Sequence, residues 1–384
     1  MNTDKLSSRL NLFPEYIFAK LAKEVELVEK TSKRKVLNLG AGSPDIPPSN
    51  ININKLRGLL LDKDAHLYPG YKAIPEFRDA LKTWYKTRFD VSLEKEEILP
   101  LLGAKDGISH LPLALLNEGD EILVPDPGYP SFTWPALLVG AKPINYSLSE
   151  ENSFKIDLDD LKKLISGKTK AIWINFPSNP TGAVVTPDEL EKIFTIAKKH
   201  NIWLIYDNAY SEITFDGFIA PSILEIKGAK EIAVEIGSFS KTFSFAGFRM
   251  GWIVGNKEII SSLAKVKSQM DSGLSLPLQR LGAFALTHFD NRWHKHMLAN
   301  YQKRRDIIAK NLKTLGLTFS LPKGALYIWA RIPDSEVNSE KFCLDLLQKR
   351  QILLTPGTAY GKNGEHFVRA SICVNIDNIT DYFK

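Results

Sequence analysis

A single lysine lies among small and hydroxyl-bearing residues in the segment Gly237-Ser238-Phe239-Ser240-Lys241-Thr242. A lysine that forms an imine needs a depressed pKa and a fixed position beside its ligand. The two serines, together with Arg249, supply hydroxyl donors and a permanently charged guanidinium, which suit a phosphate group. Although most single lysines are solvated surface residues, this combination indicates a lysine joined to an aldehyde cofactor whose phosphate is bound by neighbouring residues.

Two strand-to-turn junctions elsewhere in the chain also carry side chains or backbone groups suited to binding. Asp207 and Tyr210 follow the apolar run at residues 203–206, and ligands bind at the carboxyl ends of strands in open α/β sheets. The apolar run at residues 98–102 is followed by Gly103-Ala104-Lys105 and a helical pattern, so the free N–H groups at the helix start can attract an anion. Taken alone, each junction is equally well explained as a turn without a ligand.

The motifs together closely resemble those of the class I and II pyridoxal-phosphate aminotransferases of fold type I. Residues 238–251 match the family pattern S-x-S-K-x-x-x-x-x-G-x-R-x-G, and Asn179-Pro180-Thr181-Gly182 is a strong family signature. The motifs occur in the family's order across residues 14–384. The resemblance implies an enzyme that moves an amino group between an L-amino acid and a 2-oxo acid.

The resemblance also implies which residues perform the chemistry. Lys241 would hold pyridoxal 5′-phosphate as an internal aldimine and would later act as the general base of a ping-pong mechanism. Asp207 would pair with the pyridine nitrogen, kept ionised by a neighbouring positive charge. Tyr210 would hydrogen-bond the cofactor's O3′ oxygen beside Asn179.

The rest of the cofactor would be held at its phosphate and at its ring face. Tyr129, fixed in a proline-rich loop, would stack on the pyridine ring. Tyr68 would reach across a homodimer to the partner's cofactor phosphate. The phosphate-binding positions within the chain would be Gly103, Ala104, Lys105, Ser238, Ser240 and Arg249.

The substrate carboxylate would be bound by residues from three separate segments. Gly42 would offer its backbone, Asn179 would contribute its side chain, and Arg369 would bind the carboxylate through two parallel hydrogen bonds. Arg369 lies in an otherwise apolar strand pattern, so its charge is costly to bury without an anion. An internal carboxylate is the alternative partner for this arginine.

Several activities share nearly the same motifs. An LL-diaminopimelate-type aminotransferase is one alternative, because the neighbourhoods of Asp271 and Arg369 look somewhat like those of that family. A C–S β-lyase or an aminocyclopropane-carboxylate synthase is another, and aspartate, aromatic and methionine transamination are equally defensible. A third alternative, the ligand-sensing domain of a transcription regulator, would need an attached DNA-binding domain. A catalytically inactive protein of the same fold is disfavoured, because Lys241, Asp207 and Asn179 are all intact.

These residues need a scaffold of alternating strands and helices. The pattern from about residue 95 to 255 predicts βαβ units and a mainly parallel sheet, which the family's fold makes seven-stranded between helices. We expect a polar connector with a surface helix at 145–161 and one long helix at 278–315. The predicted division is an N-terminal arm at 1–45, a large cofactor-binding domain at 46–275, and an interdomain helix with a smaller α+β domain at 276–384.

Composition excludes several other classes of protein. With 384 residues, of which 44% are hydrophobic, the chain can bury a large core and form two domains. The chain has 50 lysine and arginine residues and 44 aspartate and glutamate residues, and the resulting net charge of +6 mildly favours anionic ligands. Because the sequence has no basic tract, nucleic-acid binding is not expected. The scattered histidines form no recognisable metal set, so no metal is expected.

The remaining sequence features concern the compartment. Cys343 and Cys373 belong to no paired motif, which predicts buried thiols in a reducing compartment. The N-terminal residues lack the features of a signal peptide, and no run of about eighteen apolar residues predicts a membrane span. We therefore expect a cytoplasmic protein that acts on small amino and oxo acids.

Overall fold

The computed structural model describes residues 6–13, 17–32, 34–377 and 379–383. The strands are, in chain order, β1 (Leu37–Asn38), β2 (Ile98–Leu101), β3 (Glu121–Asp126), β4 (Lys142–Ser147), β5 (Thr169–Asn175), β6 (Trp203–Asp207), β7 (Ala233–Ser238), β8 (Gly251–Gly255), β9 (Tyr327–Arg331), β10 (Ile352–Leu353), β11 (Thr355–Pro356) and β12 (Phe367–Ser371).

The helices pack around these strands. They are α1 (Ile17–Thr31), α2 (Asn50–Leu59), α3 (Pro75–Phe89), α4 (Ala104–Leu115), α5 (Trp134–Leu138), α6 (Leu158–Leu164), α7 (Pro187–Lys199), α8 (Phe239–Thr242), α9 (Lys257–Lys267), α10 (Leu276–Thr287), α11 (Asn291–Lys313) and α12 (Ser339–Arg350). Short 3₁₀ helices lie at Ser8–Leu12, Lys95–Glu97, Pro130–Phe132, Ile223–Glu225, Ala229–Glu231, Ala246–Phe248, Gly357–Tyr360, Lys362–Gly364 and Ile379–Tyr382.

A central sheet of seven strands has the order β2-β8-β7-β6-β5-β3-β4. The strands from β4 to β7 run parallel to their neighbours, and β8 is antiparallel to both β7 and β2. Helices α3, α7 and α10 pack on one face and α4, α5 and α9 on the other. The predicted mainly parallel seven-stranded sheet between helices is confirmed, and the carboxyl ends of its parallel strands meet at one edge.

The region at residues 145–161 differs from the predicted polar connector. Strand β4 begins at Lys142 and pairs in parallel with β3, and the surface helix α6 follows only at Leu158. Tyr146 is the one fully buried side chain of β4, because the strand lies at the edge of the sheet. An edge strand with this little buried surface leaves no apolar alternation in the sequence.

The predicted long helix at 278–315 is wrong, because two helices occupy this region. Helix α10 ends at Thr287, and α11 begins at Asn291. Between them Asp290 caps α11 by accepting the N–H of Trp293 (3.0 Å), and it also accepts the hydroxyl of Ser49 (2.6 Å). An aspartate that bonds nearby backbone in this way favours a new helix start over continuation.

The C-terminal part has mixed α and β structure, as predicted. Strands β11, β12 and β9 form an antiparallel sheet, and α11 and α12 pack with it around a second apolar core. Strand β1 pairs in parallel with β10, which joins the N-terminal segment to this region. Helix α1 lies within the predicted N-terminal arm at residues 1–45. The domain boundaries stay predictions.

Both cysteines are buried and free, as predicted from the sequence. Burial raises the pKa of the Cys373 thiol to about 11, which keeps it protonated and unreactive. Among the described residues, no helix combines the length and apolar character needed to cross a bilayer.

Candidate active site

Lys241 lies in the short helix α8, which begins directly after strand β7. Ser238 ends the strand and caps the helix by accepting the N–H of Ser240 (3.2 Å). The Lys241 amine donates a hydrogen bond to the carbonyl oxygen of Gly42 (3.0 Å) and lies 5.4 Å from the ring centre of Tyr210. No carboxylate pairs with this amine in the part of the chain that the structure describes, so a neutral acceptor and an aromatic face hold it.

Asp207 ends strand β6, next to β7, and its side chain is buried. Burial raises the pKa of this carboxyl to about 7, whereas the N–H of Ala209 (3.1 Å) and the charge of Lys241 act to lower it. Such a carboxylate is costly to ionise by itself and ionises readily when a cation is in direct contact. Asp207 is therefore suited to pairing with a protonated ring nitrogen.

Asn175 ties the ends of two adjacent strands together, a function that the sequence analysis did not identify. Its Nδ2 donates to the carbonyl oxygen of Asp207 (3.0 Å), and its Oδ1 accepts the N–H of Asn179 (2.9 Å). Asn175 and Asp207 are paired in register as the last residues of β5 and β6. A polar residue ending a buried parallel strand was the signal that could have identified Asn175.

Arg369 is a buried cation without a carboxylate partner among the described residues. Its Nη1 donates to Oδ1 of Asn179 (2.9 Å), and its Nη2 donates to the carbonyl oxygen of Gly40 (2.7 Å). The guanidinium lies 4.0 Å from the ring centre of Tyr327 and 4.9 Å from that of Tyr360, and Nε has no hydrogen-bond partner. Because an uncompensated buried charge is costly, this arrangement suits a bound anion; the alternative of an internal carboxylate is not found.

Two tyrosine hydroxyls connect the lysine side of the site to the arginine side. The hydroxyl oxygens of Tyr210 and Tyr327 lie 2.9 Å apart, and that of Tyr327 lies 3.4 Å from the carbonyl oxygen of Gly42. A Cβ at position 42 would lie 2.3 Å from the Tyr327 hydroxyl oxygen, so any larger residue there would displace this hydroxyl. Tyr327 carried no assigned role in the sequence, since nothing local distinguishes a tyrosine in an apolar strand.

A second polar cluster forms at the start of helix α4. Gly103 has a φ of +85°, and a Cβ there would lie 2.4 Å from Nη2 of Arg249, so the guanidinium rests against this turn. Nη1 of Arg249 donates to the carbonyl oxygen of Ala246 (2.7 Å). The N–H groups of Ala104 and Lys105 have no acceptor among the described residues, and the helix dipole makes them attractive to an anion.

Ser238 and Ser240 lie beside this cluster, and both side chains are buried. Ser238 pairs in register with Gly251, and a Cβ on Gly251 would lie 2.8 Å from the backbone nitrogen of Ala104. The structure thus brings together all the residues predicted to bind a phosphate within one chain. Two hydroxyls, one guanidinium and a helix N-terminus are donors of the kinds that suit a phosphate group.

A cluster of charged side chains lies next to the turn at Gly103. Asp106, His110 and Asp271 place their potential ligand atoms within 4.8 Å of one another, the one such group among the described residues. The buried ammonium of Lys267 donates hydrogen bonds to the carboxylates of Asp106 and Asp271, the latter at 2.7 Å. The Asp106 carboxylate also accepts the N–H of Leu102 (2.8 Å). Although burial alone would raise it, hydrogen bonds from His110 and Lys267 hold the pKa of Asp106 below its ordinary value.

The two predicted aromatic contacts to the cofactor differ in their surroundings. Tyr129 follows β3, is half-buried and packs edge-on against Phe132, with ring centres 5.7 Å apart. Tyr68 lies on the surface with 86% of its side chain exposed. The single chain does not bring Tyr68 to Lys241, so the predicted role of Tyr68 depends on a second copy.

Known proteins similar to this chain agree on its family. Residues 34–382 match the family model for aminotransferase class I and II. The LL-diaminopimelate aminotransferase of Halothermothrix orenii is 38% identical over 377 residues, which cover 98% of this chain and 96% of that relative. The apo-BacF structure from Bacillus subtilis superposes with a TM-score of 0.92 at 33% identity, covering 99% and 97% of the two chains. A double mutant of Thermus thermophilus aspartate aminotransferase gives 0.92 at 26% identity, covering 98% and 97%.

Proposed function

We propose that this chain, which belongs to the pyridoxal-phosphate-dependent aminotransferases of classes I and II, transfers an amino group from LL-diaminopimelate to a 2-oxo acid. One observation supports the roles proposed for Arg369 and Lys241. Arg369, a buried cation without a carboxylate partner among the described residues, and Lys241 donate to carbonyl oxygens only two residues apart, those of Gly40 and Gly42. An amino acid bound through its carboxylate to Arg369 would then place its α-carbon close to the Lys241 amine.

The residues present fit pyridoxal 5′-phosphate at both of its ends. The unpaired N–H groups of Ala104 and Lys105, with Arg249 and the two serines, match the phosphate. The buried carboxyl of Asp207 matches the ring nitrogen, because a contacting cation would relieve the burial that raises its pKa to about 7. When bound, pyridoxal phosphate supplies an electron sink for the charge that develops at the substrate's α-carbon.

Lys241 would move the proton in this reaction. Its amine, freed from the cofactor, would take the proton from the α-carbon as a general base, and the Gly42 carbonyl would hold the amine in place. The Oδ1 of Asn179 is occupied by Arg369, which leaves the Nδ2 of Asn179 to donate to the cofactor's O3′ oxygen beside Tyr210. The N–H of Gly42, without a partner among the described residues, would donate to the substrate carboxylate.

Similarity to known proteins points to a particular substrate. The proposed contacts bind the carboxylate and amine that all α-amino acids share, so they do not select a side chain. A relative that is 38% identical across nearly the whole of both chains is named for LL-diaminopimelate, which makes this amino acid the first to test. Aspartate, aromatic amino acids and methionine are the competing donors.

A second copy of the chain would complete the site. Leu61, Leu67 and Tyr68, which lie within eight residues of one another in the sequence, are 85%, 53% and 86% exposed, and a contact with a second copy would cover them. In the proposed homodimer, Tyr68 would donate to the phosphate bound by the other copy. Sedimentation equilibrium would test the dimer, and a Tyr68→Phe variant that binds the cofactor as tightly as the parent would refute this role. The cytoplasmic location stays a prediction.

Absorption spectroscopy tests the proposed function directly. Protein loaded with pyridoxal phosphate should show a band near about 360–430 nm that an amino-acid donor, without acceptor, bleaches to a band near about 330 nm. LL-diaminopimelate should act fastest, with one equivalent of 2-oxo acid formed per site. Lys241→Ala should lack the bleaching, as the matched control.

Each other result of this experiment has a definite meaning. No band after addition of pyridoxal phosphate would refute the proposed site. Faster bleaching by another amino acid would replace the substrate and keep the reaction. A band that persists while pyruvate and ammonia accumulate from a sulfur-containing amino acid would favour the C–S β-lyase.

A further inference from the structure

The hydroxyl of Tyr327 lies at the junction of four predicted site residues. It is 2.9 Å from the hydroxyl of Tyr210 and 3.4 Å from the carbonyl oxygen of Gly42, which also accepts the Lys241 amine. The Tyr327 ring lies under the guanidinium of Arg369 at 4.0 Å and packs edge-on against the Tyr210 ring at 6.0 Å. The guanidinium and the Tyr210 ring therefore both restrain the Tyr327 ring, and with it the position of the hydroxyl.

The contact distances favour the Tyr210 oxygen as the acceptor of the Tyr327 proton. A phenol carries one proton to donate and lone pairs that accept, so each of the two tyrosines can serve one acceptor. The Tyr327 oxygen lies 2.9 Å from that of Tyr210 and 3.4 Å from the carbonyl oxygen of Gly42, so its hydrogen bond to Tyr210 would be the stronger of the two. The better acceptor for the Tyr327 proton is therefore the oxygen of Tyr210.

We propose that Tyr327 is a positioning residue that donates its proton to Tyr210 and so directs the proton of Tyr210 toward the cofactor's O3′ oxygen, an inference that rests on the proposed function of this site. A hydroxyl that accepts one hydrogen bond becomes a stronger donor in the next, because neighbouring hydrogen bonds polarise each other. A stronger donor at O3′ withdraws electron density from the cofactor. With the cofactor bound, the nitrogen of Lys241 would then hold its proton less tightly, so the colour change of the bound cofactor would come at a lower pH.

A pH titration of the visible absorption band tests this relay without measuring turnover. Tyr327→Phe keeps the ring under Arg369 and removes the hydroxyl, so the midpoint should rise by about 0.5 pH unit. Tyr210→Phe should raise it further. In a Tyr210→Phe background, Tyr327→Phe should add nothing, because Tyr327 acts only through Tyr210.

Tyr146→Phe is the matched control. It removes another buried tyrosine hydroxyl, which donates to the carbonyl oxygen of Trp173 (2.8 Å) away from the site. It should lower stability and leave the midpoint unchanged. A general loosening of the fold would not produce a shift that disappears in the Tyr210→Phe background.

A second variant reaches the same hydroxyl by another route. In Gly42→Ala the new Cβ would lie 2.3 Å from the Tyr327 oxygen, so the hydroxyl must move and the midpoint should again rise. Unchanged midpoints in Tyr327→Phe and Gly42→Ala, or full additivity in the double variant, would overturn the relay. If Tyr327→Phe does not fold, Gly42→Ala alone decides. The absence of any titrating band in the unmodified protein would instead refute the proposed function of the site.

Discussion

Replacing Asp207 with asparagine should make the cofactor-free protein more stable at alkaline pH. The carboxyl is buried in the folded chain, where its pKa rises from the ordinary 3.8 to about 7. Because the folded-state pKa lies above the unfolded value, the folded chain binds the proton more tightly, and stability is lost as the pH rises from about 4 through about 7. At about 1.4 kcal/mol per pH unit, the difference of about 3 units amounts to about 4 kcal/mol.

Denaturant unfolding of the cofactor-free protein at two pH values measures this effect. Between pH of about 5 and about 8, the parent protein should lose about 3 kcal/mol more of its unfolding free energy than Asp207→Asn, which has no proton to release. With pyridoxal phosphate bound, the ring-nitrogen cation should lower the pKa of Asp207, so the extra loss should vanish. The same variant should bind the cofactor more weakly than the parent.

Glu235 provides the matched control for this experiment. Burial raises the pKa of Glu235 likewise to about 7. Glu235 pairs in register with Tyr206, the residue before Asp207, so its side chain lies on the sheet face opposite to that of Asp207. There the hydroxyls of Tyr85 (2.7 Å) and Ser222 (2.6 Å) donate to it. Glu235→Gln should remove a similar pH dependence with or without cofactor. Equal pH dependence in the parent and Asp207→Asn, or suppression of both dependences by the cofactor, would refute the reasoning.

Three further substitutions test other parts of the site. Arg369→Lys keeps the charge but loses the bidentate hydrogen bonds to the substrate carboxylate, so kcat/KM should fall about 100-fold while the cofactor spectrum stays the same. A change confined to the spectrum would contradict the role of Arg369 in binding the carboxylate. Gly103→Ala strains a residue at φ +85° and brings a Cβ within 2.4 Å of Arg249. In equilibrium dialysis, the dissociation constant of pyridoxal phosphate should therefore rise about tenfold, and that of unphosphorylated pyridoxal should stay unchanged. Lys267→Met removes the cation shared by the carboxylates of Asp106 and Asp271 and should cost about 3 kcal/mol in denaturant unfolding. Lys86→Met, at an exposed ion pair, should leave stability almost unchanged, and equal effects of the two variants would refute the buried cluster.

Local sequence determined the family and most of the sheet. Strands β5, β6 and β7 are mostly apolar because both faces of the sheet are covered, so their positions follow from composition. The segment around Lys241 and the motif beginning at Asn179 carry their residue types within a few positions, and family membership predicted from them is confirmed. Edge strand β4 escaped prediction, since a largely exposed strand needs no apolar alternation.

Only the tertiary structure decided how distant segments meet. Arg369 has no carboxylate partner among the described residues, and the chain's folding, not any local pattern, puts the carbonyl of Gly40 and the rings of two tyrosines around it. The contact of Arg249 with Gly103 and the link of Asn175 to Asp207 arise in the same way. Periodicity reports which face of an element is buried, whereas these contacts depend on the packing of elements that are far apart in the sequence.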